Sequence, residues 1–336
     1  MRTPADIERE ANSSNRHGTL LPLLLRLLGW SARHGTALLA ASIFAGIACA
    51  PLAAALRPVV PPAVALLMTL VLLRVDPAQV IAWLRRPLLV LGLSAWVLVA
   101  CPLVAFGVTR AVGLDGPLGA GMVLGAAACA AVSAPAFARL VGLDAEVSLV
   151  VSVLTTLLLP FTAPPLALGL LGLDLAITIP GLMLRLLLIV GLPALLAWGL
   201  RTVLGPARLL RAAPALDGSV VLILVVFAFG VMDGVQARLI AAPLWVLGGV
   251  ALAMTGNLGL NALTALVLWP FGRNLALSAG MLAGNRNQAL FLAVLPAAAD
   301  PGVLLFFALG QVPMFLSPFL LRPVYARLRD GHGGSA

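Results

Sequence analysis

Apolar runs about twenty residues long recur from residue 37 to residue 321, separated by short stretches of Pro, Gly and charge. Roughly 20 apolar residues in a helix cross the hydrocarbon core of a bilayer. In that core helices satisfy their own backbone polar groups, whereas irregular chain does not. At 62% hydrophobic and 10% charged residues, with a mean hydropathy of +1.10, a chain of 336 residues carries too much apolar surface for one soluble domain. The expectation is an all-α integral membrane protein of ten transmembrane helices. They fall at 37–56, 59–75, 88–109, 117–139, 146–171, 177–200, 217–236, 241–269, 274–297 and 302–321, between breaks such as Arg57-Pro58, Asp115-Gly116-Pro117 and Asp300-Pro301-Gly302.

Every basic residue is arginine. With the N-terminus inside, the intracellular segments hold sixteen of the 21 arginines, and the outer ones hold only Arg57, Arg110 and Arg238. Arg185 and Arg286 fall within spans. Moving one span scrambles this alternation, so the positive-inside rule supports ten spans with both termini cytoplasmic, in the inner (plasma) membrane. Residues 1–36 and 326–336 read as cytoplasmic tails, with a short interfacial helix at Leu20–Leu28. The net charge of +9 is scattered between apolar runs, which is not the footprint of a nucleic-acid-binding domain.

Ten spans divide into five and five, and an odd number per half inverts one half relative to the other. Residues 37–171 and 177–325 are the expected repeats. Spans 4 and 9 then correspond, and both are interrupted. Span 4 carries Ser133-Ala134-Pro135 after a run of small residues; span 9 carries Gly280, Gly284 and the polar cluster Asn285-Arg286-Asn287-Gln288. Interrupted helices at matching positions in two halves point to a transporter site near the midplane. Arg286 lies 13 residues from Arg273, about 20 Å at ~1.5 Å per residue, beyond simple snorkelling. A central arginine costs at least ~2.5–3.5 kcal/mol on insertion scales, so something polar must offset it. It is either a fixed cation joining the helices or meeting an anionic substrate, or a structural group satisfied by carbonyls of the helix breaks.

The chain resembles the bile acid:sodium symporters and their bacterial relatives. The stretches Leu66–Leu70 through Asp76 to Arg85-Arg86-Pro87, Gly121–Ser133 with Gly142 and Ser148, Pro160–Pro165, and Gly284–Gln288 carry the likeness across residues 37–325. The resemblance implies two inverted five-helix repeats. Spans 1, 2, 6 and 7 would form a panel, and the rest a core with spans 4 and 9 crossing at its centre. It implies sodium-coupled uptake of organic anions. Three positions, in two spans, depart from the family. Where it has an acidic residue and a glutamine in span 9, this chain has Leu282 and Arg286; its Ser-Asn pair in span 4 is here Ser133-Ala134. Ser148 and Ser152 match hydroxyl-bearing positions of span 5, and Asn287 matches the family asparagine. Sodium coupling is therefore in doubt, and no other cofactor is expected.

The candidate substrate- or ion-binding residues are Arg286, Asn287, Asn285, Gln288, Ser133, Ser148, Ser152 and Asn257. Asn257 and Asn261 share a helix face, lining a cavity or joining helices. Asp233 is a helix-end acid or a proton relay, and Arg185 either pairs with it or snorkels. Asp144 and Glu146 suit a helix N-terminus. Cys49, Cys101 and Cys129 form no CxxC pair and read as small core residues. No nucleophile–base pair, metal spacing or phosphate loop points to an enzyme. The expected function is secondary transport of a small organic anion in a lipid bilayer, with a non-transporting membrane sensor or scaffold as the alternative.

Overall fold

A computed structural model of the chain describes residues 26–170, 172–296 and 298–330. Most of both expected tails and the start of the Leu20–Leu28 helix lie outside the described residues. From Arg26 the chain is helical, and the Ser31 hydroxyl is buried against the carbonyl of Gly218 at 3.2 Å.

The described residues are helical, with no strand. Seven helices are long and apolar enough to cross a membrane: Ala50–Arg74, Pro87–Ala111, Ala145–Gly169, Ile179–Leu204, Pro206–Ala241, Pro243–Phe271 and Pro301–Arg329. The chain is thus a helical membrane protein. The segments expected at 37–56, 117–139 and 274–297 differ from these seven. The first is helical over Gly35–Ala48 and breaks at Cys49, just before Pro51 opens Ala50–Leu56. The other two are each split into two half-helices: Gly116–Ala127 with Ala134–Val141, and Arg273–Gly284 with Ala289–Val294.

Helix ends also differ from the hydropathy reading. The helix expected from 217 begins at Pro206, where Gly205 (φ 74°) ends the preceding helix and proline starts the next. Hydropathy marks the part of a helix that lies in hydrocarbon, whereas the helix itself continues into the polar zone.

The helices pack in two groups. In the first, Pro206–Val231 packs on both Gly35–Ala48 and Val60–Arg74, and Val60–Arg74 packs in turn on Ile179–Leu204. The second group holds Pro87–Ala111, both interrupted helices, Ala145–Pro164, Pro243–Leu268 and Pro301–Asp330. Ala289–Val294 touches both, packing on Val60–Arg74 and Ile179–Leu204 as well as its own group.

Within the second group, Arg273–Gly284 lies closest to Pro243–Leu268. A Cβ added at Gly280 would stand 2.6 Å from the carbonyl oxygen of Asn261, and one at Gly284 would stand 2.6 Å from that of Asn257. Glycines four apart let the backbones meet, the small-residue packing common between membrane helices.

Candidate functional site at the crossing of two interrupted helices

The two breaks meet. After Ala127 the backbone turns extended at Ala128 (ψ 157°), and after Gly284 it does so at Asn285 (ψ 103°). The extended segments run antiparallel, with Ala130 opposite Arg286. The N–H of Ala131 donates to the Asn285 carbonyl at 2.9 Å, and that of Asn287 donates to the Cys129 carbonyl at 2.9 Å. Backbone groups that leave a helix inside a membrane need such partners. The Ala131 carbonyl accepts from the N–H of Ala134 at 2.9 Å and from the Ser152 hydroxyl at 3.1 Å, and Pro135 stands in the first turn of the second half-helix, where an N–H has no helical partner to lose.

The helix Ala145–Pro164 supplies further hydroxyls to the first break. Thr155 Oγ1 accepts from the N–H of Ala130 at 3.2 Å and donates to the Val151 carbonyl. Thr156 donates to the Cys129 sulfur and to the Ser152 carbonyl. Ser148, expected at the site, instead donates to the carbonyl of Asp144 in its own helix at 2.7 Å. Asp144 caps that helix by accepting from the N–H groups of Glu146 and Val147, as its position in the sequence suggested. Ser152, Thr155 and Thr156 lie at i, i+3 and i+4 on one helix face. That stripe is visible in the sequence, where Thr155 and Thr156 look like ordinary helix-bonding hydroxyls beside the candidate Ser152.

Arg286 is 5% exposed, and no described acidic side chain pairs with it. Its Nε donates to the Ala283 carbonyl at 2.7 Å. Its Nη1 donates to the carbonyls of Val97 at 2.9 Å and Ala128 at 3.0 Å. Ala283 and Ala128 close the two half-helices that end at the crossing, so the guanidinium sits on two helix C-termini. Each such end carries roughly −0.5 of a charge, and together they offset a cation without any carboxylate.

The third carbonyl is available for a local reason. Residues Trp96–Ala100 form a π-helical turn in which the N–H of Cys101 reaches back to Trp96. The next residue, Pro102, has no N–H. Val97 is therefore left without a donor in its own helix and turns its carbonyl to Arg286.

Asparagine side chains tie the remaining elements. Asn257 Nδ2 donates to the Gly284 carbonyl at 2.8 Å and to Asn285 Oδ1 at 3.4 Å. Asn285 Nδ2 donates to the Met281 carbonyl, and its Oδ1 also accepts from Ser317. Asn261 donates to Tyr325 at 2.6 Å, joining helix to helix rather than lining the centre. Among the described residues, five buried side-chain atoms have no hydrogen-bond partner: Ser133 Oγ, Asn257 Oδ1, Arg286 Nη2, Asn287 Nδ2 and Gln288 Oε1. Ser133 stands at the N-cap of Ala134–Val141 without making a cap hydrogen bond.

The structure thus gathers Arg286, Asn285, Asn287, Gln288, Ser133, Ser152 and Asn257 around one crossing and leaves Ser148 within its own helix. The partners that sequence did not mark are the Val97 carbonyl, Thr155, Thr156 and Ser317. Beside the crossing lies a cavity of about 30 Å³. A larger chamber of about 300 Å³ lies between the two helix groups, walled by Val60, Gly230, Leu292, Leu295 and Leu305, with Arg57 and Asp233 on its lining. Asp233 pairs with Arg57 at 2.8 Å and not with Arg185, which donates to the Val294 carbonyl at 2.9 Å.

No family model and no curated protein matches this chain.

Proposed function

We propose that the chain is a secondary transporter for a small organic anion, similar to bile acid:sodium symporters. In this reading ten spans form two inverted five-helix repeats, and both termini lie in the cytoplasm. The observation that carries the proposal is the crossing itself. Two interrupted helices meet break to break deep in an apolar helical protein, around a buried charge. Structural proteins have no need of such an arrangement, whereas transporters use discontinuous helices at the repeat interface.

The chamber between the helix groups supports the same reading. At about 300 Å³ it reaches the size range of small-molecule pockets, and its walls are largely apolar, with the Arg57–Asp233 ion pair on the lining. An amphipathic solute fits that chemistry, its anionic group meeting Arg57 in exchange for Asp233. Arg286 supports the further point that transport runs without sodium. A guanidinium already takes the carbonyls of Val97, Ala128 and Ala283, and Leu282 offers no carboxylate.

A second reading, a non-transporting sensor, is favoured by the tight closure of the crossing, whose cavity of about 30 Å³ admits no organic anion. Uptake into proteoliposomes, with a panel of labelled carboxylates and sulfonates, separates the two. Anion flux that is indifferent to a sodium gradient is expected. Sodium-driven uptake would refute the sodium-free mechanism, and specific binding without flux for any anion would favour the sensor.

A further inference from the structure

Three of the atoms without a protein partner belong to side chains that line the small cavity at the crossing: Arg286 Nη2, Asn257 Oδ1 and Gln288 Oε1. Arg286 and Asn257 are 5% and 7% exposed, so bulk solvent does not satisfy them. Leaving a buried polar group unpaired costs ~1–3 kcal/mol, and more when it is charged. Three such groups around one space call for an occupant.

Their hydrogen-bonding roles define it. Arg286 Nη2 can only donate. Asn257 has its amide nitrogen committed to the Gly284 carbonyl at 2.8 Å, which fixes the side-chain orientation and leaves Oδ1 as an acceptor. Gln288 presents a second acceptor oxygen, held where a Cβ at Gly310 would overlap it. The occupant must accept one hydrogen bond and donate two. An inorganic anion accepts from the arginine but meets two acceptor oxygens. A metal cation suits the oxygens but meets the guanidinium. Water does all three. The volume, about 30 Å³, exceeds the ~10–15 Å³ that one water needs and is far below that of an organic solute.

We infer that this cavity is a built water site. A bound water accepts from Arg286 Nη2 and donates to Asn257 Oδ1 and Gln288 Oε1, completing the shell of the buried cation. The inference does not depend on the transport reading; a sensor would need the same water.

Two methionines, Met122 and Met314, line the cavity, while Met281 is fully buried and does not. Hydroxyl radicals generated from water by a synchrotron pulse oxidise methionine beside bound water. The probe is therefore radical footprinting of the full chain in lipid nanodiscs, read by mass spectrometry. Met122 and Met314 are partly exposed, so the native chain is their own reference: Gln288→Leu should slow the oxidation of both severalfold and leave that of the fully buried Met281 unchanged. Gln288 Oε1 bonds nothing in the protein, so that variant should fold. Asn257→Leu, which also loses the bond to Gly284, is the second arm and should act in the same direction. Rates at Met122 and Met314 unchanged in both Gln288→Leu and Asn257→Leu would overturn the water site.

Discussion

A buried arginine with no acid beside it looks like an unpaid cost until its three acceptors are traced. Two are helix C-termini, and one is a carbonyl that Pro102 leaves free. Arg286 then acts as a pin through four segments: both breaks, the half-helix ending at Gly284 and the π-helical turn. Removing it frees three buried carbonyls at ~1–3 kcal/mol each, so Arg286→Gln should lose ~3 kcal/mol or more. The apparent Tm in detergent would fall clearly. Arg286→Lys should recover only part of the loss, because an ammonium is a point donor and cannot spread over three carbonyls from one planar group. A lysine variant that melts like the native chain would show that charge alone matters. Pro102→Ala tests the third acceptor separately. It restores an N–H that competes for the Val97 carbonyl, and it should lower the Tm even though alanine suits a helix better than proline. A gain in Tm would mean that the π-helical turn contributes nothing to holding Arg286.

The half-helices depend on how closely backbones approach. Gly284→Ala would press a methyl against the carbonyl of Asn257, and overpacking of this kind typically costs ~1–3 kcal/mol. Gly259 on the facing helix has nothing within 4 Å of its would-be Cβ, so Gly259→Ala should be neutral or stabilise by up to ~1 kcal/mol. Chemical unfolding of the two variants in matched micelles checks the contrast, and equal midpoints would deny close packing at Gly284. This element scale is also where sequence reading divides. The break at residues 285–288 was legible because four polar side chains inside an apolar run have no other cause. The break before Pro135 was legible because proline removes an N–H. That the two spans cross was expected only through the family resemblance, and the backbone bonds that join the breaks, Ala131 to Asn285 and Asn287 to Cys129, leave no mark on side-chain chemistry. Pro102 was also in plain view. Its effect depends on the turn around it being π-helical, a choice made by packing rather than by local preference. The extension of a helix back to Pro206 was hidden for a different reason: Arg208 and Arg211 interrupt the hydropathy without interrupting the helix.

Across the whole molecule, charge pairs mark two levels. The helix Pro206–Val231 carries Asp217 near its middle, paired with Arg74, and is followed by Asp233, paired with Arg57. Val60–Arg74 thus runs antiparallel to it, with an ion pair at each end of the contact. Asp217 and Asp233 are 16 residues apart, about 24 Å at ~1.5 Å per residue. That separation approaches the ~30 Å thickness of a hydrocarbon core. Exposed pairs contribute little to stability, and both arginines here are well exposed. Their value lies in showing where the membrane faces are. The proposed orientation, with most arginines inside, puts the Arg74–Asp217 level on the cytoplasmic side and the Arg57–Asp233 level on the outer side. Arg211 and Arg238 are exposed beyond these two levels, one on each side. In a background with Cys49, Cys101 and Cys129 replaced, Arg211→Cys and Arg238→Cys should react with a membrane-impermeant maleimide from opposite faces. Arg238→Cys should label on intact spheroplasts, and Arg211→Cys only on inverted vesicles. Labelling of both from one face would break the antiparallel assignment of the ion pairs. Labelling from opposite faces in the reverse sense would keep that assignment and overturn the orientation, since the structure sets the two levels apart and only the arginine bias says which one is inside.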